Sequence, residues 1–165
     1  MAKLQLILMR HGQTERYHSE GDRNRALTHH GKEQVQLVAE SLRSQFGLPS
    51  HGISSNATRT LQTMEILKET WDPIINWQVE PNFYLADLRH IQEKVKTLST
   101  EKCQYLILIG HNPGWSTTIQ YLTGENVYLD TADAAVLSIE NDSWEVSLSI
   151  EGGWRLEKIV ESNLF

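Results

Sequence analysis

Cysteine is nearly absent from this chain. Cys103 is the one thiol among 165 residues, so no intramolecular disulfide can form, and a reducing compartment is the matching environment. Long apolar runs are missing as well. Leu4 to Met9 is shorter than a signal-peptide core and runs straight into Arg10-His11, and no stretch has the length that a membrane span requires. Positive charge is in deficit: 15 Lys and Arg face 21 Asp and Glu, a formal net charge of −6. That balance disfavours general nucleic-acid binding and attraction to anionic membranes. Internal repeats, low-complexity tracts and inter-domain linkers are also lacking. With 39% hydrophobic and 22% charged residues, the chain can bury a core and is not of the disordered type. The expectation is one soluble, cytoplasmic domain over 1–165.

What is present is organised around Leu6-Ile7-Leu8-Met9-Arg10-His11-Gly12. An apolar run of strand length ends in an arginine, a histidine and a glycine. The spacing predicts a strand over 3–9, buried on both faces as a central parallel strand is. A polar loop over 13–27 follows, then a helix over 29–46 capped by Thr28 and stopped by Gly47 and Pro49. A short strand at 52–54 leads into a helix at 57–70, with Ser55 or Asn56 as its cap. Pro73 breaks the chain before a strand over 74–80. A helix over 87–98, a strongly apolar strand at 105–109 and a helix at 115–122 come next. Ala134–Glu140 and the alternating Trp144–Glu151 read as a hairpin at the sheet edge. The expected class is α/β: a three-layer sandwich, a mostly parallel sheet flanked by helices, with an antiparallel edge.

In open α/β sheets, ligands sit outside the carboxyl ends of the strands. Three strand ends here deliver Arg10 and His11, then Arg59, then His111. In an acidic chain these four form a local cationic pocket suited to a small anion. Arg59 falls in the first turn of its helix, where a cation opposes the helix dipole and an anion would compensate it. Phosphoryl transfer to a side chain needs a lone pair and cations around the equatorial oxygens. A neutral imidazole supplies the first and arginine forks the second. Chemistry alone leaves open whether His11 or His111 attacks. Gly12 and Gly110 either permit tight turns or let backbone approach a phosphate. Arg16 and Arg23 read as solvent-facing loop residues, and His18, His29, His30, His51 and His90 as ordinary ones. Trp115 reads as core packing or as part of the pocket mouth.

Leu8-Met9-Arg10-His11-Gly12-Gln13-Thr14 resembles the signature of the histidine phosphatase superfamily, the phosphoglycerate-mutase-like fold. Ser54-Ser55-Asn56-Ala57-Thr58-Arg59-Thr60-Leu61-Gln62-Thr63 is similar to its second motif, and Ile109-Gly110-His111-Asn112-Pro113 to its Gly-His motif. Arg25-Ala26-Leu27-Thr28-His29-His30-Gly31 and Thr131-Ala132-Asp133-Ala134-Ala135 resemble segments of the short SixA-like phosphohistidine phosphatases. The resemblance runs in order over about 4–140. It implies that His11 becomes phosphohistidine, that Arg10, Arg59 and His111 hold the phosphoryl oxygens, and that Arg25 and Gly12 lie at the substrate. It implies no metal and no cofactor.

The acidic motif of the mutases is not found, and no large helical insertion is present, which disfavours a glycolytic mutase. The general acid is therefore open between Asp87, Glu80 and Glu15. A P–N substrate tolerates that gap, because an imidazole leaves more readily than an alkoxide. The expected activity is metal-independent hydrolysis of phosphohistidine in a signalling protein, the protein being the partner. The alternatives are a phosphatase of a small sugar or nucleotide phosphate and a phosphate-binding interaction module without turnover.

Overall fold

The computed structural model describes residues 2–71 and 75–163. Its centre is β1 (Lys3–Arg10), whose alternate side chains serve two cores. Leu4, Leu6 and Leu8 enter one apolar cluster, and Ile7 and Met9 enter the other. From Leu6 to Met9 neither face of this strand is left for water, which is why that stretch shows no polar alternation. Around it lie β2 (His51–Ser54), β3 (Asn76–Val79), β4 (Tyr105–Gly110), β5 (Ala134–Glu140) and β6 (Arg155–Val160). They form one sheet in the order β3-β2-β4-β1-β5-β6. The first four strands are mutually parallel, whereas β5 runs antiparallel to β1 and to β6.

Helices α1 (His29–Phe46) and α2 (Thr58–Thr70) supply Val35, Val38, Leu42, Met64 and Leu67 to the cluster on one face. On the other face α3 (Leu88–Val95), α4 (Gly114–Thr123) and the single turn α5 (Trp144–Ser147) supply Ile91, Val95, Trp115, Ile119, Leu122 and Trp144. The result is a mixed α/β three-layer sandwich. Register decides where the chemistry goes. Arg10 pairs with Gly110, Ser54 with Ile109, and β5 begins with Ala134 opposite Met9. Arg10-His11, Ser54-Ser55 and Gly110-His111 therefore leave the sheet along one edge, beside the loop that enters β5.

The start of α1 is pressed against that edge. Thr28 caps it, its hydroxyl accepting from the Gly31 amide at 3.0 Å. A β-carbon on Gly31 would stand 2.1 Å from the Gln13 carbonyl oxygen, and one on Gly12 would stand 2.6 Å from the Gly31 carbonyl oxygen. The two glycines thus let α1 touch the backbone just after His11.

The edge differs from the reading as a 134–140 and 144–151 hairpin. Residues 144–147 are helical, and β5 pairs instead with β6 at 155–160. Trp144 and Leu148 are 1% exposed while Val146 is 53% exposed, so burial follows the four-residue spacing of a turn and not alternation. Ser143 caps that turn by accepting from the Val146 amide, and the Trp144 indole donates to the Cys103 carbonyl and stacks on Trp154. The third strand is described from Asn76; Pro73 and Ile74 lie outside the described residues. Helix α3 ends at Val95 and not near 98. Neither Ser55 nor Asn56 caps α2, whose N-cap is Ala57 without a side-chain bond; Ser55 is engaged elsewhere.

Candidate active site

His11 follows the last residue of β1 and is 6% exposed. Its Nδ1 lies 2.8 Å from the Gly12 carbonyl oxygen. A carbonyl only accepts, so Nδ1 carries the proton and Nε2 keeps its lone pair. Burial, reinforced by His111, Arg59 and Arg10, pushes the imidazole down to about 3. It is neutral, with the tautomer fixed, at physiological pH. The His11 backbone is held from both sides, its amide donating to Gly110 and its carbonyl accepting from Ala132.

His111 follows β4, its ring centroid 5.5 Å from that of His11. Burial and the Arg59 charge bring it down to about 3 as well. Its Nε2 lies 2.8 Å from the Ser55 hydroxyl. Arg10 is anchored through Nη1 to the Leu129 carbonyl at 3.1 Å. Arg59, 3% exposed in the first turn of α2, donates from Nη1 to the Asp22 carbonyl at 2.8 Å and from Nη2 to its carboxylate at 3.0 Å. Each of the three is tied at one end. At the other, Arg10 Nε, Arg59 Nε and His111 Nδ1 are buried with no hydrogen-bond partner. All three residues line a cleft of about 300 Å³ that also contains His11. Two cationic donors and an imidazole beside a neutral imidazole can hold the oxygens of a tetrahedral oxyanion against a nucleophilic nitrogen.

Residues 6–128 match the model of the histidine phosphatase superfamily, branch 1. The chain belongs to the histidine phosphatase superfamily. It is similar to a chloroplastic protein of Arabidopsis thaliana, 34% identical over 173 residues, with 97% of this chain and 79% of that one covered. Among solved structures it resembles the protein histidine phosphatase SixA complexed with tungstate, with a TM-score of 0.82, 21% identity and coverage of 96% and 97% of the two chains. It also resembles a mycobacterial glucosyl-3-phosphoglycerate phosphatase, with a TM-score of 0.69, 16% identity and coverage of 97% and 100%. The fold is thus SixA-like and phosphoglycerate-mutase-like, and the chain is a phosphatase of this superfamily.

In this histidine phosphatase, the expected quartet of Arg10, His11, Arg59 and His111 shares one cleft. Arg25 lines the cleft too, and its Nε, Nη1 and Nη2 each donate once within the protein, to the Glu15 carbonyl, the Asp22 carboxylate and Thr14. It staples the 13–27 loop. Gly12 donates its amide to Thr63 at 3.2 Å and serves the contact with Gly31. A side chain at Gly110 would strike Trp115, which is fully buried and not at the pocket mouth.

The three acid candidates are not brought to the cleft. Asp87 caps α3, accepting from the Arg89 and His90 amides. Glu80 accepts from the Asn82 amide and faces Lys94 at 3.6 Å. Glu15 accepts from the Ala26 amide. Each is occupied in shaping the backbone. The carboxylate that does line the cleft is Asp22, missed in the sequence because a lone acid in a charged loop carries no signal. Tyr84 was missed for a similar reason. Its hydroxyl donates to Asp22, its ring meets His111 edge-on at 5.4 Å, and Arg23 stacks over it at 4.3 Å. The Tyr84 hydroxyl, with Arg25 and Arg59, holds the Asp22 carboxyl far below the usual carboxylate range.

The two buried histidines set a pH dependence of stability. An unfolded chain protonates both as the pH falls through about 6.5, whereas the folded chain resists until about 3. Stability is therefore full above the unfolded value and is lost as the pH falls toward 3. Between those two values the unfolded chain binds up to two more protons than the folded one, so stability falls as the pH falls. Urea denaturation at about pH 7 and about pH 5 checks this. The wild type is expected to weaken at the lower pH, and a His11→Ala/His111→Ala variant to weaken distinctly less.

Proposed function

We propose that this phosphatase hydrolyses a phosphorus–nitrogen bond, taking the phosphoryl group from a phosphohistidine on a partner protein. Among the described residues lining the cleft, Asp22 is the only carboxylate, and it is held ionised, accepting from Arg25, Arg59 and Tyr84. That observation carries the reading. A sugar or other alkyl phosphate leaves as an alkoxide and needs a positioned acid, an aid worth about 10²–10⁴-fold. An imidazole leaving group takes its proton from water and needs none.

In the first step the Nε2 lone pair of His11 forms a bond to phosphorus as the bond to the substrate imidazole breaks. Arg10, Arg59 and His111 hold the three equatorial oxygens. In the second step water attacks the phosphorylated His11, releasing inorganic phosphate and regenerating the neutral imidazole. The Gly12 carbonyl keeps Nδ1 protonated in the resting state, so the same nitrogen is presented in every turnover.

The test is a comparison of kcat/KM for a phosphohistidine-bearing protein and for a sugar phosphate. A preference of at least about 100-fold for the phosphohistidine is expected, the lower bound of what a missing acid costs. Equal rates would assign the enzyme to small phosphomonoesters instead. An absence of turnover on both, with phosphate still bound, would make the cleft a binding module.

A further inference from the structure

Ser55 is fully buried and sits between β2 and α2, away from solvent and one residue beyond the strand. Its hydroxyl oxygen lies 2.8 Å from His111 Nε2 and 3.5 Å from the Ala57 amide nitrogen. We propose that Ser55 is a positioning residue that sets the tautomer of His111, so that the cleft receives an N–H and not a lone pair.

A hydroxyl has one hydrogen to give and can accept twice. The Ala57 amide can only donate, so it does not take the Ser55 hydrogen. Of the two neighbours, His111 Nε2 alone can accept it. With Nε2 as acceptor, the neutral ring must carry its proton on Nδ1. That nitrogen is the one left buried without a partner, on a residue lining the cleft. The opposite arrangement would strand the buried Ser55 hydrogen and aim the Nδ1 lone pair at the phosphoryl oxygens. Both outcomes are unfavourable, since an unmade hydrogen bond on a buried polar group costs about 1–3 kcal/mol.

The consequence is chemical. Burial keeps His111 uncharged, and an uncharged imidazole contributes to anion binding only through the nitrogen that holds hydrogen. Ser55 decides which nitrogen that is. The same device serves His11 in reverse. There a carbonyl holds hydrogen on Nδ1 and frees the lone pair for attack, while at His111 a hydroxyl occupies the lone pair and frees the hydrogen for binding. Two adjacent neutral histidines are thereby given opposite roles by their hydrogen-bond partners. Ser55 stands in the serine-rich end of the second motif, where the sequence offers it, or Asn56, as the cap of α2.

This inference rests on the phosphate-binding reading of the cleft for its purpose, but its first test does not. Long-range proton–nitrogen NMR of the free, unliganded protein at about pH 7 distinguishes a protonated from an unprotonated ring nitrogen. His111 is expected as the Nδ1–H tautomer in the wild type. In Ser55→Ala it is expected to become a mixture or to convert to Nε2–H, with the His51 and His90 signals unmoved. Ser55→Thr, which keeps the hydroxyl, is expected to retain Nδ1–H. Titration with inorganic phosphate is expected to show about tenfold weaker binding in Ser55→Ala, as for loss of one hydrogen bond to a charged group. A wild-type His111 protonated on Nε2 would overturn the proposal even if the enzyme is active. So would a Ser55→Ala protein whose His111 stays Nδ1–H. If Ser55→Ala does not fold, the wild-type spectrum with Ser55→Thr still decides. Failure of phosphate to bind a correctly tautomerised wild type would fault the function of the cleft and not the assignment to Ser55.

Discussion

His11→Ala is expected to lose at least about 10⁴-fold in kcat on any phosphoryl donor the wild type turns over, the scale seen when a covalent nucleophile is removed. The loss follows from geometry. His11 Nε2 is the cleft nitrogen left with a lone pair once the Gly12 carbonyl has claimed the Nδ1 hydrogen. Burial keeps that lone pair from protonation. The variant is expected to remain folded, since the imidazole gives way to a smaller side chain and the backbone bonds of residue 11 to Gly110 and Ala132 are untouched. A thermal melt beside the assay separates loss of chemistry from loss of structure. Chelator is expected to leave the wild-type rate unchanged, because the proposed mechanism takes its positive charge from Arg10 and Arg59. A variant that retains a tenth of wild-type turnover would remove His11 from its role.

Arg59→Ala is expected to cost about 10²–10³-fold in kcat/KM, the range for deleting one preorganised donor to a developing oxyanion. Arg59 donates from each Nη to Asp22 and keeps its buried Nε without a partner. Lysine cannot reproduce that division of labour, because its ammonium is a point charge without a rigid fork. Arg59→Lys is therefore expected to recover little, less than tenfold of the loss. The Asp22 carboxylate left behind would face an anionic substrate with one counter-charge fewer. Asp22→Asn in the Arg59→Ala background is thus expected to restore part of the binding, seen as a lower KM. If Arg59→Lys matched the wild type, charge alone would suffice and the anchoring by Asp22 would carry no function.

The parts readable in the sequence were those written as local pattern. Continuous apolarity marked β1 and β4 as central strands, and the residues that ended them marked the edge where Arg10, His11, Arg59 and His111 meet. Thr28 and Gly47 bracketed α1 to the residue because caps are local chemistry. What escaped depended on partners distant in the chain. Asp22 and Tyr84 are 62 residues apart and meet only over the folded cleft. Ser55 looked like a helix cap, since a serine before a helix is usually that, and only the fold brings His111 to its hydroxyl. The stretch 144–151 alternates as a strand does, yet Ser143 caps a turn there, and Trp144 buries against Trp154 from a segment ten residues on. The acid candidates Asp87, Glu80 and Glu15 failed to reach the cleft because each closes a backbone amide of its own neighbourhood.

The most direct measurement is to find the phosphate during turnover. Wild-type enzyme mixed with a labelled phosphohistidine protein, denatured in alkali within the first turnover and digested, is expected to yield an acid-labile, alkali-stable label on the peptide carrying His11. His11→Ala is expected to yield none. Label on His111, or wild-type release of phosphate through a first turnover in which the His11 peptide is never labelled, would contradict attack by His11 and with it the mechanism built on this cleft.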